Sequence, residues 1–218
     1  MTTFLAIIVA SYLLGSIPFG YILVRIFRGE DVRQSGSGNI GATNVARKSP
    51  LLGAITLLLD AAKGFGAVAF AKWISVPDPA SFPWATPYLL MSLAALFAIF
   101  GHVFSIFLKF RGGKGVATAL GSSVLIAPKA VLLAAAIFVL AAVIFRYISL
   151  GSIIAAVSFP ALVWAFREYG GSAAALAFMS LSSLLIIFKH RGNIRRLLAG
   201  TENRFGSQRS SAARPERS

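Results

Sequence analysis

The chain is apolar and strongly basic, and these two features exclude an ordinary soluble domain. Its 218 residues are 57% hydrophobic and only 13% charged, whereas soluble domains carry about a quarter charged residues. The net charge of +14 is clustered, with eight of the 21 basic residues from Lys189 onward, which is typical of cytoplasmic loops facing anionic lipid and not of nucleic-acid binding.

Apolar runs long enough to cross a bilayer recur along the chain, so the sequence predicts an all-α, multi-spanning transmembrane bundle. The first run, Phe4 to Val24, lacks a basic n-region and a cleavage site, which predicts a retained helix and not a signal peptide. Two arginines follow it, and the positive-inside rule therefore places the amino terminus outside. The second run contains Asp60 and Lys63 on one helical face, which we interpret as a structural ion pair.

The later runs decide the number of crossings. A third run, about Pro87 to Leu108, returns the chain to the cytoplasm. Four apolar blocks follow, at residues 116–127, 130–145, 148–166 and 172–188. If each block crosses, the chain has seven spans and a cytoplasmic carboxyl terminus, which is our prediction. The block at 116–127 is short for a crossing, which also allows a shallow or half helix. A five-span alternative fuses residues 116–145 across Pro128. We expect a membrane domain at residues 1–206 and a basic, disordered tail at residues 207–218.

Three polar islands interrupt the apolar runs, and we call them island one (Ser35–Arg47), island two (Lys109–Gly115) and island three (Lys189–Glu202). In island one, three glycines match the G-x-G-x-x-G dinucleotide fingerprint. That motif needs a preceding strand, and here a membrane helix precedes it, so a nucleotide site is not predicted. Glycines still allow backbone N–H groups to converge on an anion, which indicates phosphate.

Island two resembles a Walker loop, but Leu108 stands where that motif requires glycine, and no serine or threonine follows Lys114. The glycines around Lys114 predict a compact cationic nest for phosphate at the start of the next helix. In island three, His190 and Asn193 are three residues apart, so they share a face if the segment is helical. A histidine with an ordinary pKa is a suitable general base. We interpret His102 as a packed, hydrogen-bonded group, with Ser105 three residues further on.

Several classes of chemistry are not indicated. The chain has seven carboxylates and no pair with metal-ligand spacing, so we expect neither a metal nor a cofactor. It has no cysteine, and the serine-hydrolase elbow and the His-x4-Asp acyltransferase pattern are missing. A transporter of organic anions is the alternative from another class. Its internal repeats or midplane charges are not apparent in the sequence.

Taken together and in order, the three islands resemble the bacterial membrane acyl-phosphate:glycerol-3-phosphate acyltransferases of the PlsY type. The motifs read GSGNIGATNVAR at 36–47, FRGGKGVAT at 110–118 and HRGNIRRLLAGTE at 190–202. The resemblance implies transfer of a fatty acyl group from acyl phosphate to the 1-hydroxyl of glycerol 3-phosphate. The products are lysophosphatidic acid and inorganic phosphate, and this is the first step of bacterial phospholipid synthesis. It further implies an enzyme that works as a monomer, with its site at the cytoplasmic face of the inner membrane.

The resemblance also implies roles for individual residues. His190, Asn193, Ser37 and Arg47 form the implied catalytic set, with His190 as the base unless the substrate's own phosphate accepts the proton. The implied phosphate and substrate contacts are Gly38, Asn39, Thr43, Asn44, Arg47, Gly112, Gly113, Lys114, Gly115 and Ser152. Within this set, the amides around Gly112 and Gly113 form the glycerol-phosphate nest, and Arg47 and Lys114 neutralise phosphate. Glu202 is assigned a structural pairing with a nearby arginine.

Overall fold

The computed structural model describes residues 2–74, 86–204 and 206, so the predicted tail at 207–218 lies outside the described residues. In the described part of the chain all regular structure is helical, and the predicted all-α class is confirmed. The helices are α1 (Thr2–Ser16), α2 (Phe19–Arg28), α3 (Ala42–Ala46), α4 (Pro50–Trp73), α5 (Pro87–Val103), α6 (Val116–Ser123), α7 (Pro128–Phe145), α8 (Ile148–Ala165), α9 (Ala173–Lys189) and α10 (Arg191–Leu198). Short 3-10 turns lie at Val32–Gln34 and Ile106–Leu108.

The first predicted span is broken between α1 and α2. The break falls at Ile17 and Pro18, because proline has no N–H to donate and its ring crowds the preceding turn. The carbonyls freed at the break find side-chain donors. Ser105 Oγ donates to the Ser16 carbonyl at 2.5 Å, and Lys63 Nζ donates to the Ile17 carbonyl at 2.7 Å. The break is therefore stabilised by α4 and by the segment that follows α5.

Glycines allow the helix backbones to touch at two crossings that shape the bundle. A Cβ at Gly15 of α1 would lie 2.1 Å from the carbonyl oxygen of Ala98 in α5, and one at Gly121 of α6 would lie 1.9 Å from that of Ala61 in α4. Only a residue without a side chain permits such approaches, as in small-residue contacts between membrane helices. Helices α1, α4, α5 and α6 consequently pack as one close group.

The helices run between the islands at one end of the bundle and an apolar cluster at the other, which we call the distal cluster. It contains Ile7, Val68, Leu90, Ala127, Ala130, Val163 and Ala175. These residues come from α1, α4, α5, α7, α8, α9 and the turn before α7, so each of these segments reaches the distal end. In the described residues the chain thus passes between the two ends seven times, and the fourth pass consists of α6 with residues 124–127.

That fourth pass is not an ordinary transmembrane helix. With eight residues, α6 is ~12 Å long, against ~30 Å for the hydrocarbon core. It is also separate from α7, so the fused helix of the five-span alternative is not formed. By length and composition the described residues hold five candidate spans, or six if α9 and α10, bent by 53°, count as one. The number of bilayer crossings and the sides of the termini stay predictions.

Candidate active site

The three islands meet at one cavity of about 880 Å³, where α4, α6, α7, α8 and α9 also contribute apolar side chains. The predicted site residues that line it are Ser37, Asn39, Thr43, Asn44, Arg47, Lys114, Gly115, Ser152, His190, Asn193 and Glu202. Gly38, Gly112 and Gly113 are not part of its wall. The structure therefore brings most of the predicted set together, although more than 140 positions separate island one from island three in the chain.

Asn44 shapes island one from within. Its buried Nδ2 lies 3.0 Å from the Val32 carbonyl oxygen, 3.1 Å from that of Ser35 and 2.8 Å from that of Asn39. Its Oδ1 accepts from the Ser37 amide at 2.9 Å. Both ends of the amide are engaged within island one, so this side chain organises the loop, and its contact with substrate stays a prediction.

The other residues of island one leave their polar groups near the cavity. Gly38 has φ +68°, a conformation that favours glycine, and it bends the loop without lining the cavity. Asn39 Oδ1 accepts from the Gly41 amide at 3.1 Å, while Ser37 and Thr43 are exposed. Arg47 ends α3 and is exposed at the cavity wall, and in the described part of the chain its guanidinium has no hydrogen-bond partner.

The predicted phosphate nest in island two needs a correction. The amides of Gly112 and Gly113 donate to the carbonyls of Val103 and His102, at 3.1 and 2.9 Å. The last carbonyls of a helix lack N–H donors from their own helix, and at the end of α5 the Gly112 and Gly113 amides supply these donors. The first turn of α6, from Val116, has N–H groups without a partner inside the helix, and it lies at the cavity wall.

Lys114 projects into the cavity beside island three. Its Nζ donates to Asn193 Oδ1 at 2.5 Å. Burial disfavours the charged ammonium and, although Glu202 opposes this, the pKa of Lys114 falls from 10.5 to about 8. The site therefore holds a lysine that is charged at neutral pH and close to its titration range.

His190 is buried at the junction of α9 and α10 and also lines the cavity. Its Nδ1 lies 2.8 Å from the carbonyl oxygen of Ile186. A carbonyl oxygen only accepts, so Nδ1 carries the proton of the neutral ring and Nε2 is left as an acceptor. The helical segment places His190 and Asn193 on the same wall, as their spacing predicted.

Glu202 joins the elements around Asn193. Its Oε1 accepts from Asn193 Nδ2 at 2.7 Å and from Ser149 Oγ at 2.8 Å, and its Oε2 accepts from Arg196 Nε at 2.6 Å. Burial alone would raise its pKa, but these hydrogen bonds outweigh burial and hold the pKa of Glu202 below its ordinary value. The arginine partner predicted for Glu202 is thus Arg196.

Two contributors to the site were missed in the sequence. Arg196 lines the cavity. The sequence contained a signal for it, because Arg196 follows Asn193 at the same three-residue spacing that separates Asn193 from His190. Ser149 reaches the site from α8, and nothing in the sequence linked it to island three. The predicted Ser152 lies one turn later, where its Oγ donates to the Ile148 carbonyl at 3.0 Å while the residue still lines the cavity.

The predicted pair of Asp60 and Lys63 is formed, with Lys63 Nζ 2.8 Å from Asp60 Oδ1. His102 joins this pair: its Nδ1 lies 3.6 Å from the same oxygen. Ser105, the predicted neighbour of His102, bonds to Ser16 instead. Asp60 and His102 both lie on the cavity wall. Among the described residues no group of three or more His, Asp or Glu side chains is placed to hold a metal ion.

The apolar part of the cavity reaches both the distal cluster and the bundle surface. Met179 and Ala95 line it and belong to the distal cluster. Leu57, Leu120 and Val139 also line it and are 45%, 41% and 55% exposed. The cavity is therefore a groove with a cationic polar end and an apolar side that opens outward between α4, α6 and α7.

The comparisons with known proteins agree on one family. A family model described as glycerol-3-phosphate acyltransferase matches residues 5–200. A glycerol-3-phosphate acyltransferase of Syntrophotalea carbinolica is 46% identical over 94% of this chain and 99% of its own length. One of Ehrlichia canis is 45% identical over 94% of this chain and 100% of its own length.

Two solved structures share the fold, and both are crystal structures of PlsY, an integral membrane glycerol 3-phosphate acyltransferase. The glycerol 3-phosphate form gives a TM-score of 0.82 at 36% identity and covers 93% of this chain and 96% of that one. The lysophosphatidic acid form gives 0.77 at 35% identity, with 93% and 95% covered. With three ordered motifs, one shared cavity and these matches, the chain belongs to the PlsY family of integral membrane glycerol-3-phosphate acyltransferases.

Proposed function

We propose that this acyltransferase takes its acyl group from a fatty acyl phosphate and releases lysophosphatidic acid and inorganic phosphate. The observation that carries the proposal is the continuity of a cationic polar end with an apolar groove in one cavity. An acyl phosphate combines these two properties in one molecule. The solved PlsY structures in glycerol 3-phosphate and lysophosphatidic acid forms support the acceptor and the product.

The polar end has the charge for two phosphate groups. Arg47, Lys114 and Arg196 line it, and the first turn of α6 adds N–H groups and the positive end of a helix dipole. Arginine suits a bidentate contact with phosphate, whereas lysine acts as a point charge. The hydroxyls of Ser37 and Thr43 supply further donors for the phosphates or for the reacting carbonyl.

The reaction needs no covalent bond between the substrate and the protein. The 1-hydroxyl oxygen attacks the acyl carbonyl carbon, a new C–O ester bond forms, and the bond from that carbon to the phosphate oxygen breaks. Phosphate leaves with the bonding pair, and the hydroxyl proton passes to a base. Negative charge develops on the carbonyl oxygen and on the departing phosphate, where fixed cations and N–H groups stabilise it.

His190 has the geometry of a base for the proton, because Nδ1 donates to Ile186 and Nε2 is left as an acceptor. Burial and the nearby charge of Lys114 lower the pKa of His190 from 6.5 to about 4, so it is a weaker base than the ordinary histidine that the sequence predicted. The phosphate of the substrate is the rival acceptor, and His190 would then orient the hydroxyl. Asn193 acts as a positioning residue in both schemes, since its amide bridges Lys114 and Glu202.

The apolar groove supports entry of the acyl chain from the membrane. Exposed Leu57, Leu120 and Val139 mark the opening between α4, α6 and α7. A tail that enters there stays in apolar surroundings while the phosphate meets the cations. By charge placement, we propose that the site faces the cytoplasm at the bacterial inner membrane. We also propose that the monomer is active, because residues of one chain form the cavity.

A donor-competition assay tests this function. Detergent-purified protein is supplied with glycerol 3-phosphate and either palmitoyl phosphate or palmitoyl-CoA, in chelator and without added metal. We expect lysophosphatidic acid and one equivalent of inorganic phosphate when the donor is palmitoyl phosphate, and no product when the donor is palmitoyl-CoA. Product from palmitoyl-CoA alone would overturn the proposed donor. Movement of glycerol phosphate into proteoliposomes without acylation would support an anion transporter instead.

A further inference from the structure

The segment from Gly112 to Gly115 is held against the end of α5 by contacts that the proposed reaction does not use. The amides of Gly112 and Gly113 donate to the carbonyls of Val103 and His102. A Cβ at Gly112 would lie 2.0 Å from the His102 carbonyl oxygen, so the two backbones touch. These positions have no room for a side chain, because other atoms of the protein occupy the space beside them.

Gly115 shows that the segment is confined on a second side. A Cβ there would lie 2.9 Å from Ile99 Cγ2 of α5 and 3.7 Å from Ile186 Cγ1 of α9. Lys114 lies within this segment, and its Nζ reaches Asn193 in the cavity. The location of the Lys114 ammonium therefore depends on whatever fixes the segment between α5 and α9.

The side chain of His102 fills the space beside Gly113. A Cβ at Gly113 would lie 2.1 Å from Nε2 of the imidazole, 2.9 Å from Cε1 and 3.0 Å from Cδ2. The three nearest atoms thus belong to one ring, whose Nε2 edge points at the glycine. His102 is only 3% exposed, so the ring has little freedom to move away.

The other edge of the ring faces buried charges. Its Nδ1 faces Asp60 Oδ1 at 3.6 Å, and that oxygen pairs with Lys63 Nζ at 2.8 Å. Lys63 also donates to the Ile17 carbonyl at the break of the first span. A buried ion pair costs desolvation energy, and specificity of structure is its best-attested use. Here the pair faces the one ring that covers Gly113.

We propose that His102, oriented by Asp60 and Lys63, is a positioning residue that holds the Gly112–Gly115 segment and thereby places Lys114 in the active site. The inference rests on the proposed function, because it takes Lys114 as a phosphate contact. In this proposal Gly112 and Gly113 contact the end of α5 and do not form a nest for the ligand.

A double-mutant cycle between Gly113→Ala and His102→Ala tests the contact. In the wild-type background the new methyl group meets the ring, and we expect the KM for glycerol 3-phosphate to rise at least about tenfold with a smaller change in kcat. His102→Ala raises KM as well. In its background the ring is gone, so Gly113→Ala should add no more than about twofold.

Gly112→Ala is the matched control, because its methyl group meets the backbone carbonyl of His102, which every variant keeps. Its effect should be the same in both backgrounds. If Gly113→Ala also raised KM equally in both, the methyl group would obstruct the ligand directly, and the positioning role of His102 would be overturned in favour of the nest.

A second variant and a donor control keep the outcomes separate. If His102→Ala is not recovered folded, His102→Asn replaces it in the cycle, because its shorter side chain keeps a polar group toward Asp60 while making room at Gly113. The cycle is run with whichever acyl donor the wild-type protein accepts. A failure of acyl phosphate then overturns the proposed donor alone, and a cycle without coupling overturns the positioning role alone.

Discussion

Arg47 is the cation whose removal should affect the reaction most directly. It is exposed at the cavity wall and has no hydrogen-bond partner in the described part of the chain, so its guanidinium is available to substrate. Loss of a charge that stabilises the transition state costs ~10²-fold or more in kcat. We expect that loss for Arg47→Ala, measured with saturating substrates. Arg111→Ala removes an exposed arginine outside the cavity and should keep nearly normal turnover. Normal turnover in Arg47→Ala would remove Arg47 from the site.

Loss of the Lys114 proton should lower the activity of the enzyme at alkaline pH. Because its pKa is about 8 in the free protein, the ammonium is charged below that pH and is lost as the pH rises through it. The phosphate of the substrate is fully ionised across this range, since its second pKa is ~6. We therefore expect kcat/KM for glycerol 3-phosphate to fall above about pH 8.

Lys114→Arg is the control for that loss of activity, because a guanidinium stays charged to pH ~12 and above. Whatever activity the variant retains should lose the alkaline limb. An unchanged limb in Lys114→Arg would assign the titration to another group.

Residue identities pointed to side chains that line one cavity but not to all of their contacts. Arg47, Lys114, His190 and Asn193 were predictable, because charge and amide groups among apolar runs need a polar partner. The roles of Gly112 and Gly113 were not, because the acceptors of their amides belong to the end of α5. A glycine that accommodates a ligand and one that accommodates a neighbouring ring look the same in a sequence.

At the scale of elements, Glu202 fastens α10 to α8 and thereby fixes the wall that carries Asn193. Hydrogen bonds to a charged group contribute ~1.5–3 kcal/mol, and a buried partner left unsatisfied costs a similar amount. We expect Glu202→Gln to lower the free energy of unfolding in detergent by about 1–3 kcal/mol. Ser149→Ala removes only one of its donors and should cost about 1 kcal/mol. Equal stability of Glu202→Gln and wild type would contradict this fastening role.

The same contact predicts a pH dependence of stability. The folded pKa of Glu202 lies below its ordinary value of 4.5, so its contribution is present above that value and is lost as the pH falls through the folded pKa. The stability difference between wild type and Glu202→Gln should therefore shrink under acid conditions. A difference that stays constant down to low pH would mean that the charge of Glu202 is not what matters.

Long helices could be predicted well and breaks less well. The runs that became α4, α5, α7, α8 and α9 were apparent because a continuous apolar stretch needs a helix to satisfy its backbone inside a membrane. Pro18 carried the signal for the break after α1, but a single proline in an apolar run also occurs in continuous membrane helices. The short length of the block at 116–127 was apparent in the sequence, but the close contact of α6 with α4, at Gly121 and Ala61, was not.

At the scale of the whole molecule, charge and packing place all chemistry at one end. The islands supply the cations and the distal cluster supplies the apolar core. An enzyme built this way can take a lipid-like donor from the bilayer and a charged acceptor from water at the same cavity. The arrangement requires that islands two and three lie on the same side of the membrane, so an even number of crossings must separate them.

Cysteine labelling tests this topology, since the chain contains no cysteine and gives no background. Lys129→Cys is the decisive position, because it lies at the start of α7, after the eight-residue α6. With seven crossings, a membrane-impermeant maleimide should label Thr2→Cys and Lys129→Cys in intact spheroplasts. It should label Arg111→Cys and Thr201→Cys only after permeabilisation. Labelling of Lys129→Cys only after permeabilisation would show that the fourth pass does not cross the membrane, and the seven-span prediction would be wrong.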